Sequence, residues 1–215
     1  MFGFCRLRQG RKESRNSLAA AGTIACKSTH PSWSAGLKPM ESGMDEPRML
    51  LKTSRFDVVE IDQRTREGGT KPRQVILHAG AVVILPMVDA DHVCLIRNER
   101  VAVGKTLIEL PAGTMEPPAT PQAMAIRELK EETGYTAERW RELPSFYMSP
   151  GILRERMHAF VAEGLTAGDH AREAGENIDN LVVPWSEAIA MVDRGEIEDA
   201  KTICALLMWE RLRNR

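Results

Sequence analysis

The chain has 215 residues, 43% of them hydrophobic and 27% charged, a composition typical of one folded domain with a small appendage. A net charge of −1 gives no reason to expect binding to nucleic acid or to a membrane surface, and no apolar run approaches the length of a membrane span. The four cysteines form no C-x-x-C pair, which argues against a zinc site or a disulfide framework and favours a reducing cytoplasm.

The N-terminal segment, residues 1–47, differs in composition from the rest of the chain. Within residues 1–40, seven Lys or Arg accompany a single Glu, and Ser, Gly and Ala are frequent without a steady apolar period. This composition predicts a disordered basic tail. Two alternatives stay open: a transit peptide, which is also basic and poor in acids, or a start of the protein at Met44 or Met49.

The sequence pattern of residues 48–78 predicts a small N-terminal β-sheet. Apolar and polar residues alternate in Arg55–Gln63, as they do in a half-buried strand. The pair Gly68-Gly69 is a hairpin signal, and residues 73–79 then return as a second strand. Two or three strands are not stable alone, so this sheet must pack on another part of the protein.

We expect residues 79–215 to form the main domain. The continuous apolar run of Gly80–Val88 indicates a central strand that is buried on both faces. Strands dominate the first half and helices lie in the middle and at the end, so we expect an α/β fold with a layered sheet. The other predicted elements are strands in His92–Arg100 and in residues 106–113, 156–165 and 176–185, a helix capped by Ser186, and a last helix in residues 198–213 whose core positions are Ile203, Leu206, Leu207 and Trp209.

A short acidic helix is predicted in the middle of the chain, from about residue 121 to residue 133. Thr120 is a good N-cap, Pro121 suits the first helical position, and Gly134 suits the residue after the last turn. We expect its apolar side, formed by Ala125, Ile126 and Leu129, to face the core.

Three glutamates lie within the last turns of this helix. Glu128, Glu131 and Glu132 share one face, where like charges repel, and they lie at the negative end of the helix dipole. A divalent cation would turn this repulsion into attraction, because carboxylate oxygens are preferred ligands of Mg²⁺ and Mn²⁺. The alternative is a solvated face with Arg127 paired to Glu131, and for an isolated E-x-x-E-E pattern this alternative is the more common.

The surrounding segment, Gly113 to Tyr135, resembles the Nudix box G-x5-E-x7-R-E-U-x-E-E-x-G-U, where U is a bulky apolar residue. Gly113 opens the pattern, the run R-E-L-K-E-E-T-G follows in register, and Tyr135 takes the last place. The resemblance implies the Nudix fold, an α/β/α sandwich with a mixed β-sheet, and a site for Mg²⁺ or Mn²⁺. The metal ligands that it implies are the carbonyl of Ala112 and the carboxylates of Glu128, Glu131 and Glu132, with Arg127 and Glu131 in the catalytic set.

One position departs from the box, since Ala119 stands where the pattern has Glu. In the family this Glu is usually interpreted as support for the loop and the helix. Glu116, three residues earlier, is a candidate replacement, and Pro117-Pro118 offers another way to stiffen the loop. The departure leaves open a Nudix module that binds nucleotides with weakened catalysis.

Two flanking segments resemble ADP-ribose pyrophosphatases and related ADP-sugar hydrolases. "RNERVAVGKTLIELPAG" is similar to their R-x-x-R … E-L-P-A-G segment, and "SPGILRE" is similar to their S-P-G-x-x-x-E segment. The resemblance implies a catalytic Glu155, as general base or metal ligand, and substrate contacts from Arg97, Arg100, Glu109 and Gly151. From the residues alone, surface ion pairs for the two arginines, a loop salt bridge for Glu155 and a tight turn at Gly151 are fair alternatives.

The expected activity is therefore metal-dependent hydrolysis of ADP-ribose or a related ADP-sugar to AMP and a sugar phosphate. Another nucleotide sugar, such as a GDP-sugar, or a dinucleotide is the alternative substrate. The resemblance also implies a homodimer, because strands like those in residues 48–78 commonly exchange across a two-fold axis in this subfamily.

Overall fold

The structure, a computed structural model, describes residues 46–169 and 178–213. The predicted basic tail, with its two alternatives, lies almost entirely outside the described residues. In the part that is described, no helix is long and apolar enough to cross a membrane.

The described part contains strands β1 to β11, helices α1 to α3 and one π-helical turn. Their bounds are β1 Arg48–Lys52, β2 Asp57–Arg64, β3 Thr70–Leu77, β4 Ala81–Pro86, β5 His92–Arg100, β6 Lys105–Glu109, β7 Ala112–Thr114, α1 Pro121–Glu128, the π-helical turn Leu129–Thr133, β8 Tyr135–Tyr147, β9 Leu153–Arg154, β10 Arg156–Ala167, β11 Ile178–Pro184, α2 Trp185–Asp193 and α3 Ala200–Arg213.

The strands form three sheets with the orders β1-β2-β3-β9, β7-β4-β10-β8 and β11-β5-β6. The middle sheet is mixed, because β10 runs parallel to β4 and antiparallel to β8. The first sheet is the small N-terminal sheet that the sequence predicts, and its hairpin turns at Gly68, where φ is 86°. The parallel strand β9 joins β3 from far along the chain and brings the segment before Glu155 to this sheet.

The central strand β4 is buried on both faces, as its apolar run predicts. Val83 and Leu85 pack in one cluster with α2 and α3, whereas Val82 and Ile84 pack in a second cluster with α1. Because successive side chains of a strand point to opposite faces, one strand supplies both clusters. Helices therefore cover both faces of the sheet, which confirms the α/β/α sandwich.

Four local expectations were wrong. The long strand β8 was not predicted, although it pairs with β10 over nearly its whole length. The helix α2 begins at Trp185 with Pro184 as its N-cap, so Ser186 lies inside the first turn and caps nothing. Ile126 and Leu207 are exposed, because α1 turns Met124 inward in place of Ile126 and because α3 faces the core with Leu206 and Trp209.

Candidate active site

The acidic helix begins as predicted but changes its geometry before it ends. Thr120 caps it, since its hydroxyl accepts a hydrogen bond from the Ala123 amide at 3.2 Å. The α-helical part stops at Glu128, and Leu129–Thr133 form the π-helical turn, which Gly134 ends with a φ of 79°. Such turns occur often at functional sites. Here the turn changes the directions of the last two glutamates relative to Glu128.

The carboxylate of Glu128 lies directly against the backbone of β7. A Cβ atom built on Gly113 would lie 2.0 Å from Cδ and 2.2 Å from Oε1 of Glu128. Any other residue at position 113 would therefore displace this carboxylate, which gives a physical reason for the glycine that opens the motif. Burial and the negative charge of Glu131 together raise the pKa of Glu128 to about 7.

Glu132 reaches the neighbouring residue of the same strand. Its side chain is almost fully buried, and its Oε2 accepts a hydrogen bond from the Ala112 amide at 3.0 Å. Two carboxylates from one helix thus meet two consecutive residues of β7. The third, Glu131, is less buried and lies beside Arg127, whose Nε is 3.6 Å from its Oε2.

These residues fit a hard divalent cation, although they do not form a complete site by themselves. Within the described ranges, no three acidic, histidine or cysteine side chains converge as a ready-made set of metal ligands. The predicted ligands nevertheless gather around β7 and the π-helical turn, and all of their donor atoms are oxygens, as Mg²⁺ and Mn²⁺ prefer. Mg²⁺ is usually held by one or two carboxylates and completed by water and substrate phosphate.

A second group of charges lies at the end of β5 and β6. Arg100 donates from Nε and Nη2 to the two carboxylate oxygens of Glu109, at 2.7 and 2.6 Å. The Glu109 side chain is only 1% exposed and also accepts a hydrogen bond from Lys201, which in turn pairs with Asp199 at 2.9 Å. Burial alone would raise the pKa of Glu109, but the hydrogen bonds of Arg100 and the charge of Lys201 lower it below its usual value.

This second group lies close to the glutamates of the helix. The hydrogen bonds to Glu109 raise the pKa of Arg100, and the negative charges of Glu132 and Asp199 raise it further. Lys201 was missed from the sequence. No local signal could have found it, because its partner Glu109 lies 92 positions earlier in the chain.

The other predicted substrate residues lie apart from this group. Arg97 is exposed on β5, three residues from Arg100, so the two side chains leave opposite faces of the strand. Gly151 lies in an exposed turn in which the Ile152 amide donates to the Ser149 carbonyl at 3.1 Å. A Cβ on Gly151 would meet no atom within 4 Å, so close packing does not explain this glycine.

Glu155 lies between β9 and β10, beside a histidine that the sequence did not single out. Its Oε1 is 3.4 Å from Nδ1 of His78, and both side chains are mostly buried. Burial lowers the pKa of His78 although the charge of Glu155 opposes the shift, and Nδ1 accepts a hydrogen bond from the Gly80 amide at 3.2 Å. Ala81 of β4 pairs with both Thr114 of β7 and Met157 of β10, and the start of β10 is therefore about two strand spacings, ~10 Å, from β7.

Comparison with known proteins gives consistent results. The family profile described as "NUDIX domain" matches residues 77–206. The chain is 31% identical over 172 residues to an ADP-ribose pyrophosphatase of Bacillus subtilis (strain 168), with 79% of this chain and 93% of the relative aligned. It is 37% identical over 137 residues to a GDP-mannose pyrophosphatase of Citrobacter koseri, with 59% and 71% aligned. A crystal structure described as an ADP compounds hydrolase shares the fold, with a TM-score of 0.71, 23% identity and coverage of 79% and 92%.

Proposed function

Because the chain belongs to the Nudix hydrolase family, we propose that it hydrolyses the pyrophosphate bond of ADP-ribose or a closely related ADP-sugar. The products are AMP and a sugar phosphate. The observation that carries the proposal is the meeting of Glu128 and Glu132 with the backbone of β7, close to the charged group of Arg100. The named activity of the Bacillus subtilis relative, aligned over 93% of its length, supports the choice of substrate.

We assign the metal to the oxygens around β7. The carbonyl of Ala112 and the carboxylates of Glu128, Glu131 and Glu132 would hold Mg²⁺ or Mn²⁺. When bound, the ion neutralises phosphate charge and makes water a better nucleophile. Before binding, the chain holds two of these carboxylates in place, one by its fit against Gly113 and one by the amide of Ala112.

Arg100 is the proposed phosphate contact. Glu109 holds its guanidinium through Nε and Nη2, so Nη1 remains to donate to a phosphate oxygen of the substrate. Glu109 is too deeply buried for an easy contact with substrate, and it acts through Arg100. Arg97 and Gly151 stay candidates for contacts with the rest of the nucleotide sugar.

Glu155 is the proposed general base. A carboxylate that takes a proton from the attacking water must stay ionised and correctly oriented. The ring of His78 packs beside this carboxylate without a hydrogen bond to it, since its Nδ1, 3.4 Å from Oε1, accepts from the Gly80 amide at 3.2 Å. The assignment is supported by the strand register, in which Met157, two residues after Glu155, and Thr114 of β7 both pair with Ala81 of β4.

The N-terminal strands, the subdomain proposed for residues 48–78, are the proposed dimer interface, because β1 lies at the edge of their sheet. Every residue of β1 is exposed, and three consecutive apolar side chains, Met49, Leu50 and Leu51, lie on this edge. An exposed strand edge with apolar side chains is suited to pairing with a second copy of the chain. A cytoplasmic location completes the proposal, in keeping with the absence of any C-x-x-C pair among the four cysteines.

A GDP-sugar is the second candidate substrate, since the Citrobacter koseri relative is named a GDP-mannose pyrophosphatase. The two are separated by incubating the protein with ADP-ribose, other ADP-sugars, GDP-mannose and dinucleotides, each with Mg²⁺ and with EDTA. We expect the highest kcat/KM for an ADP-sugar, with AMP as product and no turnover in EDTA. Faster cleavage of GDP-mannose would favour the second candidate, and tight ADP-ribose binding without turnover would indicate a weakened enzyme.

A further inference from the structure

Arg127 lies among three carboxylates, and the nearest of them does not come from its own helix. Its Nη1 donates to Oε2 of Glu116 at 2.9 Å, whereas Nη2 is 3.5 Å from Glu128 Oε1 and Nε is 3.6 Å from Glu131 Oε2. Only the first of these is a hydrogen bond, and the hydrogen bond to Glu116 is the main cause of the raised pKa of Arg127. The guanidinium is thus hydrogen-bonded to Glu116 and forms only longer ion pairs with Glu128 and Glu131.

This position matters because a guanidinium and a divalent cation compete for the same oxygens. An arginine that closed fully onto Glu128 and Glu131 would form the charge-assisted pairs that these carboxylates can offer to a metal. A cation would then have to displace it. A third carboxylate, outside the metal-binding face, removes this competition by giving the arginine a better partner.

Glu116 is well placed to be that partner. It follows Met115, whose side chain is buried and whose amide donates to the Gly80 carbonyl at 2.9 Å, so the loop is anchored directly before it. The Glu116 carbonyl accepts a hydrogen bond from the Ala119 amide at 3.0 Å, which closes a tight turn. Ala119 packs against the apolar cluster under α1 and has no carboxylate. Glu116, in the same turn, supplies one.

We propose that Glu116 is a positioning residue that keeps Arg127 from closing into hydrogen-bonded pairs with Glu128 and Glu131 and so leaves their carboxylates open to a divalent cation. The inference rests on the proposed metal-dependent activity, but it concerns metal affinity rather than the choice of substrate. It also assigns a role to the glutamate nearest the one position at which this chain departs from the motif. Glu116 itself touches neither substrate nor metal.

The test measures Mn²⁺ binding by electron paramagnetic resonance or calorimetry in Glu116→Gln, Glu116→Asp and Glu187→Gln. Glu187 is the matched control, because it is an exposed glutamate paired with Arg194 at 2.7 Å, on α2. The Glu116 side chain is 59% exposed, so folding is not at stake. An exposed ion pair contributes little, and we expect Mn²⁺ binding about three- to five-fold weaker in Glu116→Gln and unchanged in the other two.

Catalysis provides a second readout. Raising the Mg²⁺ concentration should restore kcat of Glu116→Gln to the wild-type value, because the cation then outcompetes Arg127. Wild-type Mn²⁺ affinity in Glu116→Gln, or a loss of kcat that saturating Mg²⁺ does not recover, would overturn the inference. If the wild-type protein cleaves no nucleotide sugar while Mn²⁺ binding still weakens in Glu116→Gln, the proposed function fails and this inference stands.

Discussion

Glu109 and Glu128 are both buried glutamates, yet their neighbouring charges differ and their pKa values are shifted in opposite directions. Glu109 accepts hydrogen bonds from Arg100 and Lys201, and its pKa is lowered. Glu128 has the negative charge of Glu131 beside it, no closer cation than 3.5 Å among the described residues, and a pKa raised to about 7. The charge of Glu109 is balanced by hydrogen-bonded cations of the chain itself. The charge of Glu128 is balanced less well, and a metal ion would supply the missing positive charge.

Removing the carboxylate of Glu128 should have the largest effect on activity. We expect Glu128→Gln to lower kcat about 10³-fold, because a main metal contact is lost. The metal-free protein should keep its free energy of unfolding or gain slightly, since burial and the charge of Glu131 disfavour the ionised form of Glu128 and raise its pKa. Steady-state kinetics and urea denaturation measure the two effects, and wild-type turnover in this variant would show that Glu128 holds no metal.

Filling the space beside Glu128 should give a smaller effect of the same kind. A methyl group at position 113 overlaps the carboxylate, so Gly113→Ala should lower kcat/KM by about 100-fold through misplacement of Glu128. Gly69→Ala is the control, because a Cβ there comes no closer than 3.6 Å to another atom. Equal activity of the two variants would contradict the fit of Glu128 against β7.

The other half of the comparison is tested by Glu109→Gln. This change leaves Arg100 and Lys201 without their shared anion, and we expect a loss of about 3 kcal/mol in the free energy of unfolding. Glu198→Gln is the control, because its pair with Lys105 is half exposed and should contribute less than about 1 kcal/mol. Urea denaturation at pH 7 distinguishes the two, and similar losses would mean that Glu109 is no more important than a surface glutamate.

The stabilising role of ionised Glu109 can also be tested by the pH dependence of the free energy of unfolding. The folded pKa of Glu109 lies below its ordinary value of 4.5, so ionised Glu109 stabilises the fold above that pH, and the contribution is lost as the pH falls through the folded pKa. The difference in unfolding free energy between wild type and Glu109→Gln should therefore shrink below about pH 4.5. A difference that grows in acid would reverse the sign of the argument.

Local signals in the sequence were enough for the two ends of the acidic helix and for the central strand. Thr120 and Gly134 act through contacts with near neighbours in the chain, and the apolar run of β4 reports burial on both faces. The strand β8 was missed because its side chains are mostly exposed and polar, and its identity comes from pairing with β10. Neither the local periodicity of the sequence nor the signals at strand ends predict that β8 pairs with β10.

The candidate site divides in the same way. The glutamates of the motif could be identified from their spacing, but the contacts of each side chain could not. Glu132 accepts a hydrogen bond from Ala112, and Glu128 contacts Gly113, only because β7 and the helix pack together. Lys201 and His78 meet their partners across 92 and 77 positions of the chain respectively, and no local pattern predicts such contacts.

The metal assignment is tested most directly by a crystal structure with Mn²⁺ and a non-hydrolysable ADP-ribose analogue. We expect an anomalous scattering peak about 2.2 Å from carboxylate oxygens of Glu128 and Glu132, with the diphosphate completing the coordination. A peak elsewhere, or none while the analogue is bound and both carboxylates face water, would contradict it.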